Sequence, residues 1–355
     1  MFPRFPYQPR RQTMSFKSVT VAIGLCLFAV GASAQQTILK VSHFLPPASN
    51  FQKGVLEPWC KQLAQESGDR LKCQIYPAMQ LGGTPAQLIN HARDGVADIV
   101  WTSPAYTPGR FPVTEALDMP FAVPPDGLRG SRMMWDFYLK HGQQDFKDFH
   151  MLGLFSGMNT LIVTTSKPVY KLEDLKGLRL RSPSRLGAKM LQALGAAPVG
   201  LPAAQLTDAV TKGVIDGVLA SWDLIPSVKL EEISRYFMEA QPSQPGFAQV
   251  PTVMLMNPAK YAALPADLKA VLDRHSGQAL VDRAGKAWDE AAAKGRQKAE
   301  AAGGKILTID AAEYQRMRAT AADLEQEWVK EITAKGHDGA QLLKDLHELT
   351  AKYLN

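Results

Sequence analysis

The sequence predicts an α/β protein of two domains, and three observations carry that reading. Between Asp174 and Leu219, strand-like and helix-like runs alternate as β-α-β-α-β. The same strand, helix, strand order opens the chain from Ile38 to Tyr76. At 355 residues the chain exceeds what one hydrophobic core ordinarily organises, so about two domains are expected.

Taken in order, the chain begins with a basic stretch and the short apolar run Val19 to Val30, followed by the small-x-small signal Ala32-Ser33-Ala34. The run is too short to span a bilayer, so residues 1–34 read as a cleaved secretory signal peptide, with Met14 a second possible start. Leu25 before Cys26 does not make a lipobox, and Arg10-Arg11 is a weak twin-arginine match. The leader holds four basic residues and no acid. Without it, 36 basic side chains face 34 acidic ones, a net charge of +2 that gives no reason to expect nucleic acid or an anionic membrane as partner. Two cysteines remain after the leader in an oxidising compartment, Cys60 and Cys73. Either they bridge a helix to the next strand or they are two separate buried thiols.

Ile38–Ser42 reads as a strand, Phe51–Gln65 as a helix ended by Gly68, and Leu71–Tyr76 as the second strand. Thr84-Pro85 opens a helix that runs to Arg93 and leads into the strand Asp98–Trp101. In an open parallel sheet the residues after each strand face the ligand crevice, which makes His43, Phe44, Trp101 and Ser103 candidate rim residues. Tyr106 to Pro112 is a proline-fixed loop. Ser131–Lys140 is a helix, His150–Phe155 a strand, and Asn159–Thr165 starts the second sheet. The central unit then has the strand Leu178–Arg181, the helix Ser184–Leu194, the strand Ala197–Leu201, the helix Ala204–Lys212 and the strand Val214–Leu219. Tyr236–Ala240 and Gln249–Met256 are strands that cross back between domains. Pro265–Ala302 is one long helix or two abutting ones, bent at Gly277 and Gly285. A late strand Ile306–Ile309 and helices Ala311–Lys335 and Asp338–Tyr353 close the fold. The expected division is 35–157 plus about 246–275 for one domain, and 158–245 plus about 276–355 for the other.

Catalytic signatures are missing from the sequence. The seven histidines show no metal-ligand spacing, and there is no Gly-x-Ser-x-Gly elbow, Gly-x-Gly-x-x-Gly fingerprint or phosphate loop. The expectation is a binder without catalytic residues, metal or cofactor. Arg181, at the carboxyl end of a strand where open α/β sheets bind ligands, is one candidate anion grip. A guanidinium matches a carboxylate with two parallel hydrogen bonds and keeps its charge when partly buried. Arg179 shares its strand face by alternation, and Arg185 on the next helix is a third candidate.

The words DLKGLRLRSP, LGAAPV and KGVIDG, in this order and at these separations, resemble the periplasmic solute-binding proteins of TRAP (tripartite ATP-independent periplasmic) transporters. QIYPAMQLGG, GVADIVWTSP and LDMPF extend the resemblance over roughly Leu39 to the C-terminus. It implies a two-lobed periplasmic binding protein fold, type II-like, with α/β domains joined by hinge strands and a long spanning helix. It further implies that Arg181 holds the carboxylate of an organic acid, that the lobes close on it, and that a monomer delivers it to small and large permease subunits for ion-gradient-driven uptake. Where sialic- and dicarboxylic-acid members carry a second arginine this chain has Met158-Asn159, and where they show Gln-Glu-Asn it has Val218-Leu219-Ala220 and then Ser221-Trp222-Asp223. Phe44, Trp101 and Trp222 then suggest an apolar or ring-stacking wall, with Asn159 and Asp223 as polar contacts. The expected ligand is a monocarboxylate with an apolar or aromatic body, or a small 2-oxo or hydroxy acid. The alternatives are a sensory partner, a sugar-acid or dicarboxylate binder, the binding protein of an ATP-driven importer, and an enzyme.

Overall fold

A computed structural model describes residues 1–4, 6–9, 36–157 and 160–354. The signal-peptide reading, Met14, Cys26 and Arg10-Arg11 lie outside the described residues, as do Met158 and Asn159. Residues 36–355 form one compact unit.

Within that unit the strands are β1 (Thr37–His43), β2 (Leu71–Tyr76), β3 (Ile99–Thr102), β4 (His150–Gly157), β5 (Thr160–Thr164), β6 (Arg179–Ser182), β7 (Ala197–Gly200), β8 (Gly217–Ser221), β9 (Tyr236–Glu239), β10 (Val250–Met256) and β11 (Lys305–Thr308). They make two sheets, ordered β2-β1-β3-β10-β4 and β11-β9-β5-β8-β6-β7. The chain passes from the first sheet to the second between β4 and β5 and returns between β9 and β10, giving a mixed α/β fold of two lobes. The parallel pairs run as the strand-helix-strand pattern predicts: β1 lies between β2 and β3, and β6 between β7 and β8. The antiparallel strands follow no local pattern. β10 inserts between β3 and β4, and β5 between β8 and β9.

The helices are α1 (Glu57–Glu66), α2 (Leu88–Arg93), α3 (Gly127–Phe137), α4 (Arg185–Ala193), α5 (Leu206–Thr211), α6 (Leu224–Ser227), α7 (Pro258–Ala262), α8 (Ala266–Arg274), α9 (Gln278–Ala301), α10 (Ala311–Thr320), α11 (Asp323–Ala334) and α12 (Gly339–Leu354). A wide turn, Phe51–Leu56, precedes α1, and Pro58 sits in the first turn of the helix, where its missing N–H costs nothing. Cys60 on α1 and Cys73 on β2 are joined by a disulfide with their Cα atoms 5.7 Å apart. Helix α3 starts four residues before the Ser131 expected from sequence, because the Asp126 carboxylate caps it by accepting from the Arg129 N–H at 2.8 Å. Ala321 and Ala322 split the expected Ala311–Lys335 helix into α10 and α11.

The long stretch after Pro265 is two helices, broken at Gly277, whose φ of +59° an L side chain rarely adopts. Gly285 is not a bend. It lies inside the continuous α9, where a side chain would meet the Leu128 Cα at 2.6 Å, so its bareness lets α9 press against α3 of the first lobe. One end of the same helix meets the second lobe, where a Cβ on Gly295 would overlap the backbone carbonyl of Trp222. Two glycines thus let one helix touch both lobes at backbone distance.

Alanine normally stabilises an exposed helix position by roughly 0.5–1 kcal/mol relative to glycine. At Gly295 the sign should reverse. Gly295→Ala is expected to lower the stability of the protein by about 1–3 kcal/mol through overpacking, read as a lower urea midpoint at unchanged slope. An unchanged or raised midpoint would show that α9 does not approach Trp222 this closely.

Candidate functional site

Ser182-Pro183 ends β6, and Ser184 caps α4 by accepting from the Gly187 N–H at 3.1 Å. That places Arg181 one residue from the end of a short strand, with Leu180 directed to the opposite face and fully buried in the core. The Arg181 side chain is 2% exposed. Its Nε donates to the Leu201 carbonyl at 2.8 Å, and its Nη1 to the Leu219 carbonyl at 3.1 Å. The Tyr106 hydroxyl, from the other lobe, is a further hydrogen-bond partner. Burial pushes the guanidinium below its ordinary value, and Tyr106 partly opposes that; burial pushes the Tyr106 hydroxyl up, and Arg181 draws it back.

Charge pairing separates the three arginines that the sequence left in competition. Arg179 binds Asp216 through Nε and Nη2, at 3.1 and 2.7 Å, on the exposed start of the strand. Arg185 holds Glu115 at 2.8 Å and Glu331 at 2.7 Å. Arg181, the most buried of them, pairs with no acidic side chain among the described residues. Leaving one charge uncompensated in a protein interior typically costs several kcal/mol. The guanidinium has five N–H donors, and the two carbonyls occupy two of them.

Arg181 lines a cavity of about 80 Å³ between the lobes. Phe44, Trp101, Ser103, Tyr106 and Thr252 contribute from the first lobe, Thr160, Leu219, Ser221 and Asp223 from the second, and Trp288 from α9. A larger open groove of about 820 Å³ runs along α9 and meets this cavity at Asp223, but charged side chains such as Lys53, Arg283 and Lys294 border it and no aromatic ring does.

The aromatic wall has a definite order. Trp101 is stacked between Phe51 (ring centroids 3.9 Å apart) and Phe44 (4.8 Å), so both of its faces are covered. Phe44 and Trp101 both line the cavity, but neither face of the Trp101 ring is left open to it. Tyr106 stands edge-on to Phe44, with centroids 5.3 Å apart. The Trp101 indole N–H is buried with no hydrogen-bond partner.

Of the remaining residues expected from sequence, Ser103 lines the cavity but its hydroxyl is engaged, donating to the Pro251 carbonyl at 2.9 Å and accepting from Ala105 N–H at 3.2 Å. His43 is fully buried behind Trp101 rather than at the rim. It contacts Gln52 at 3.0 Å, and burial pushes its pKa down to about 4, so it stays neutral. Trp222 is also not part of the lining: its N–H donates to Glu239 at 2.9 Å and its ring stacks on Phe237. Asn159 lies outside the described residues. Tyr106, Thr160, Thr252 and Trp288 also line the cavity, and the sequence alone does not mark them as site residues. Tyr106 follows a strand end by only four residues, which was the available signal; Trp288 lies within the long helical stretch after Pro265.

Asp223 is the cavity's acid. Its Oδ1 is buried without a hydrogen-bond partner, although the residue as a whole keeps some exposure. Burial pushes its pKa up to about 6, opposed by hydrogen bonds from Ser221 and Trp288.

The family model for bacterial extracellular solute-binding proteins, family 7, matches residues 41–331. The chain belongs to that family. Similar solved structures are TRAP solute-binding proteins. One from Rhodoferax ferrireducens T118, with copurified benzoate, is 39% identical with a TM-score of 0.87, covering 90% of this chain and 98% of that one. A marine metagenome protein described as specific for aromatic acid ligands, in complex with 3-hydroxybenzoate, is 38% identical with a TM-score of 0.87, covering 90% and 99%. A Bordetella bronchiseptica protein with bound (R)- and (S)-mandelate is 29% identical with a TM-score of 0.81, covering 89% and 99%. The family is an extracellular transport family, and among the described residues no helix is long and apolar enough to cross a membrane.

The raised pKa of Asp223 has a consequence for the unliganded protein. A folded value of about 6 against roughly 3.9 unfolded means the native state favours the protonated acid. The stabilising contribution is complete below the unfolded pKa and is lost as pH rises from about 4 through 6. Asp223→Asn is therefore expected to unfold at a higher temperature than the parent at pH 7.5 and to lose that advantage near pH 4, as measured by calorimetry without ligand. A parallel pH dependence of the two proteins would remove the buried-acid assignment.

Proposed function

We propose that this protein captures an aromatic monocarboxylate in the periplasm and hands it to the small and large membrane subunits of a TRAP permease. One observation carries the reading: Arg181 is a buried cation, anchored by backbone carbonyls and free of acidic partners among the described residues, in a small cavity walled by aromatic rings. An uncompensated guanidinium favours an anion there, and the planar fork favours a carboxylate. The cavity is well below the roughly 300–1,000 Å³ of sites for drug-sized ligands, which suits a single-ring acid. The bound benzoate, 3-hydroxybenzoate and mandelate of the three similar proteins support the same class.

The mechanism is capture by closure. The acid enters between separated lobes, and Arg181 fixes its carboxylate from the second lobe. Phe44, Trp101 and Tyr106 then meet its ring from the first lobe, so only the closed state makes both sets of contacts and the ligand shifts the population toward it. The moving bodies are residues 35–157 with about 246–275, and residues 158–245 with about 276–355. The closed monomer docks on the permease, and an ion gradient drives uptake.

Thermal denaturation against aromatic, 2-oxo, dicarboxylic and sugar acids tests the reading. Benzoate-like acids are expected to raise the midpoint, since a ligand of the native state stabilises it. Arg181→Ala is expected to weaken that binding about 100-fold or more, as for a truncated buried charge pair. Arg181→Lys should recover only part of the loss, because an ammonium cannot supply the second parallel bond. Stabilisation confined to sugar acids, or an aromatic-acid shift that survives Arg181→Ala, would overturn the proposal.

A further inference from the structure

We propose that Asp223 is the ligand's second anchor, its buried Oδ1 accepting a hydrogen bond from a hydroxyl on the aromatic body of the acid that Arg181 holds. The cavity thereby selects hydroxylated aromatic monocarboxylates over the bare ring acid. This deepens the function proposed above and rests on it.

Three observations meet at this residue. Asp223 lines the same cavity as Arg181. Its Oδ1 has essentially no solvent contact and no hydrogen-bond partner in the protein. A buried acceptor is normally satisfied, so an exception inside a ligand cavity points to a donor brought by the ligand. Ser221, Trp288 and the Leu224 backbone are the neighbours that draw the carboxyl's pKa back down, while Oδ1 has no hydrogen-bond partner.

The geometry keeps this acid away from the cation. Arg181 is not among the groups that act on the Asp223 carboxyl, and no ion pair joins them. Yet both are tied to the same strand. The Leu219 carbonyl of β8 receives Arg181 Nη1, and Asp223 lies four residues further along, a backbone separation of at most about 14 Å. A ligand that reaches both must bridge that gap, with an acceptor at one end and a donor at the other. The chemistry also sets what is refused: a second carboxylate would face a like charge, and a 2-oxo group would find an acceptor where it needs a donor.

Titration calorimetry at pH 8 on the whole mature protein compares benzoate with its 2-, 3- and 4-hydroxy isomers and with the matching methoxybenzoates. At least one hydroxy isomer is expected to bind about tenfold more tightly than benzoate, as for a hydrogen bond to a charged group. Methylating that hydroxyl should abolish the gain. In Asp223→Ala the ratio between the hydroxy acid and benzoate should fall to less than about twofold. Should that variant fail to fold, Asp223→Asn, which keeps the shape and loses the charge, should show a smaller ratio than the parent. The inference is overturned if no isomer gains in the parent protein, or if the ratio persists in the variants. Benzoate bound without any hydroxyl gain sinks only this inference, whereas no binding by any of these acids sinks the proposed function with it.

Discussion

The structure turns on a positive charge that the protein does not neutralise with an acid. Arg181 sits at 2% exposure with two backbone carbonyls and a tyrosine hydroxyl as its partners. Carbonyl dipoles orient a guanidinium without satisfying its charge, so the residue is held in place while remaining attractive to an anion. Nearby Arg179 and Arg185 show the contrast: each is spent on carboxylates of the protein itself. Retaining the unpaired charge is the kind of local cost that binding sites carry.

Holding that charge ready requires a stiff surrounding, and the packing supplies it. Phe51, Trp101 and Phe44 form a continuous stack, backed edge-on by neutral His43, whose own ring is fixed by Gln52. The stack belongs to the first lobe and the arginine to the second, so the aromatic wall and the cation come together only where the lobes meet. Helix α9 sets how they meet. Gly285 brings it against α3 and Gly295 against the Trp222 carbonyl, next to Asp223, while Trp288 projects into the cavity between those contacts. A side chain at either glycine would move one lobe relative to the helix, and with it one wall of the site.

The parts legible in the sequence were those written locally. Alternation in Leu178–Arg181 and the Ser182-Pro183 stop placed Arg181 at a strand end, and parallel β-α-β order placed Phe44, Trp101 and Ser103 near the same crevice. What the sequence withheld depends on distant pairing. Nothing near Val250 tells that β10 inserts between β3 and β4, which is how Thr252 reaches the cavity. Trp222 was drawn into the site by its place after β8, but the turn that follows directs its ring to Phe237 and Glu239, and the next residue, Asp223, takes the inward position. Likewise both faces of Trp101 are consumed by phenylalanines, one of which, Phe51, lies fifty residues upstream.

One strand explains why the two charged groups of the cavity remain distinct. Strand β8 offers the Leu219 carbonyl to Arg181 and, past its end, turns at Trp222 to present Asp223. If the two side chains met, the carboxylate would be drawn well below its ordinary pKa; burial instead pushes it up to about 6. Each group therefore bears its own desolvation, one as an unpaired donor array and the other as an open acceptor. A ligand that carries an anion at one end and a donor at the other relieves both at once, and neither contact alone requires the lobes to close. On the function proposed above, a ring between them that lies against Phe44 of the first lobe is what would tie relief of the two charges to closure of the molecule.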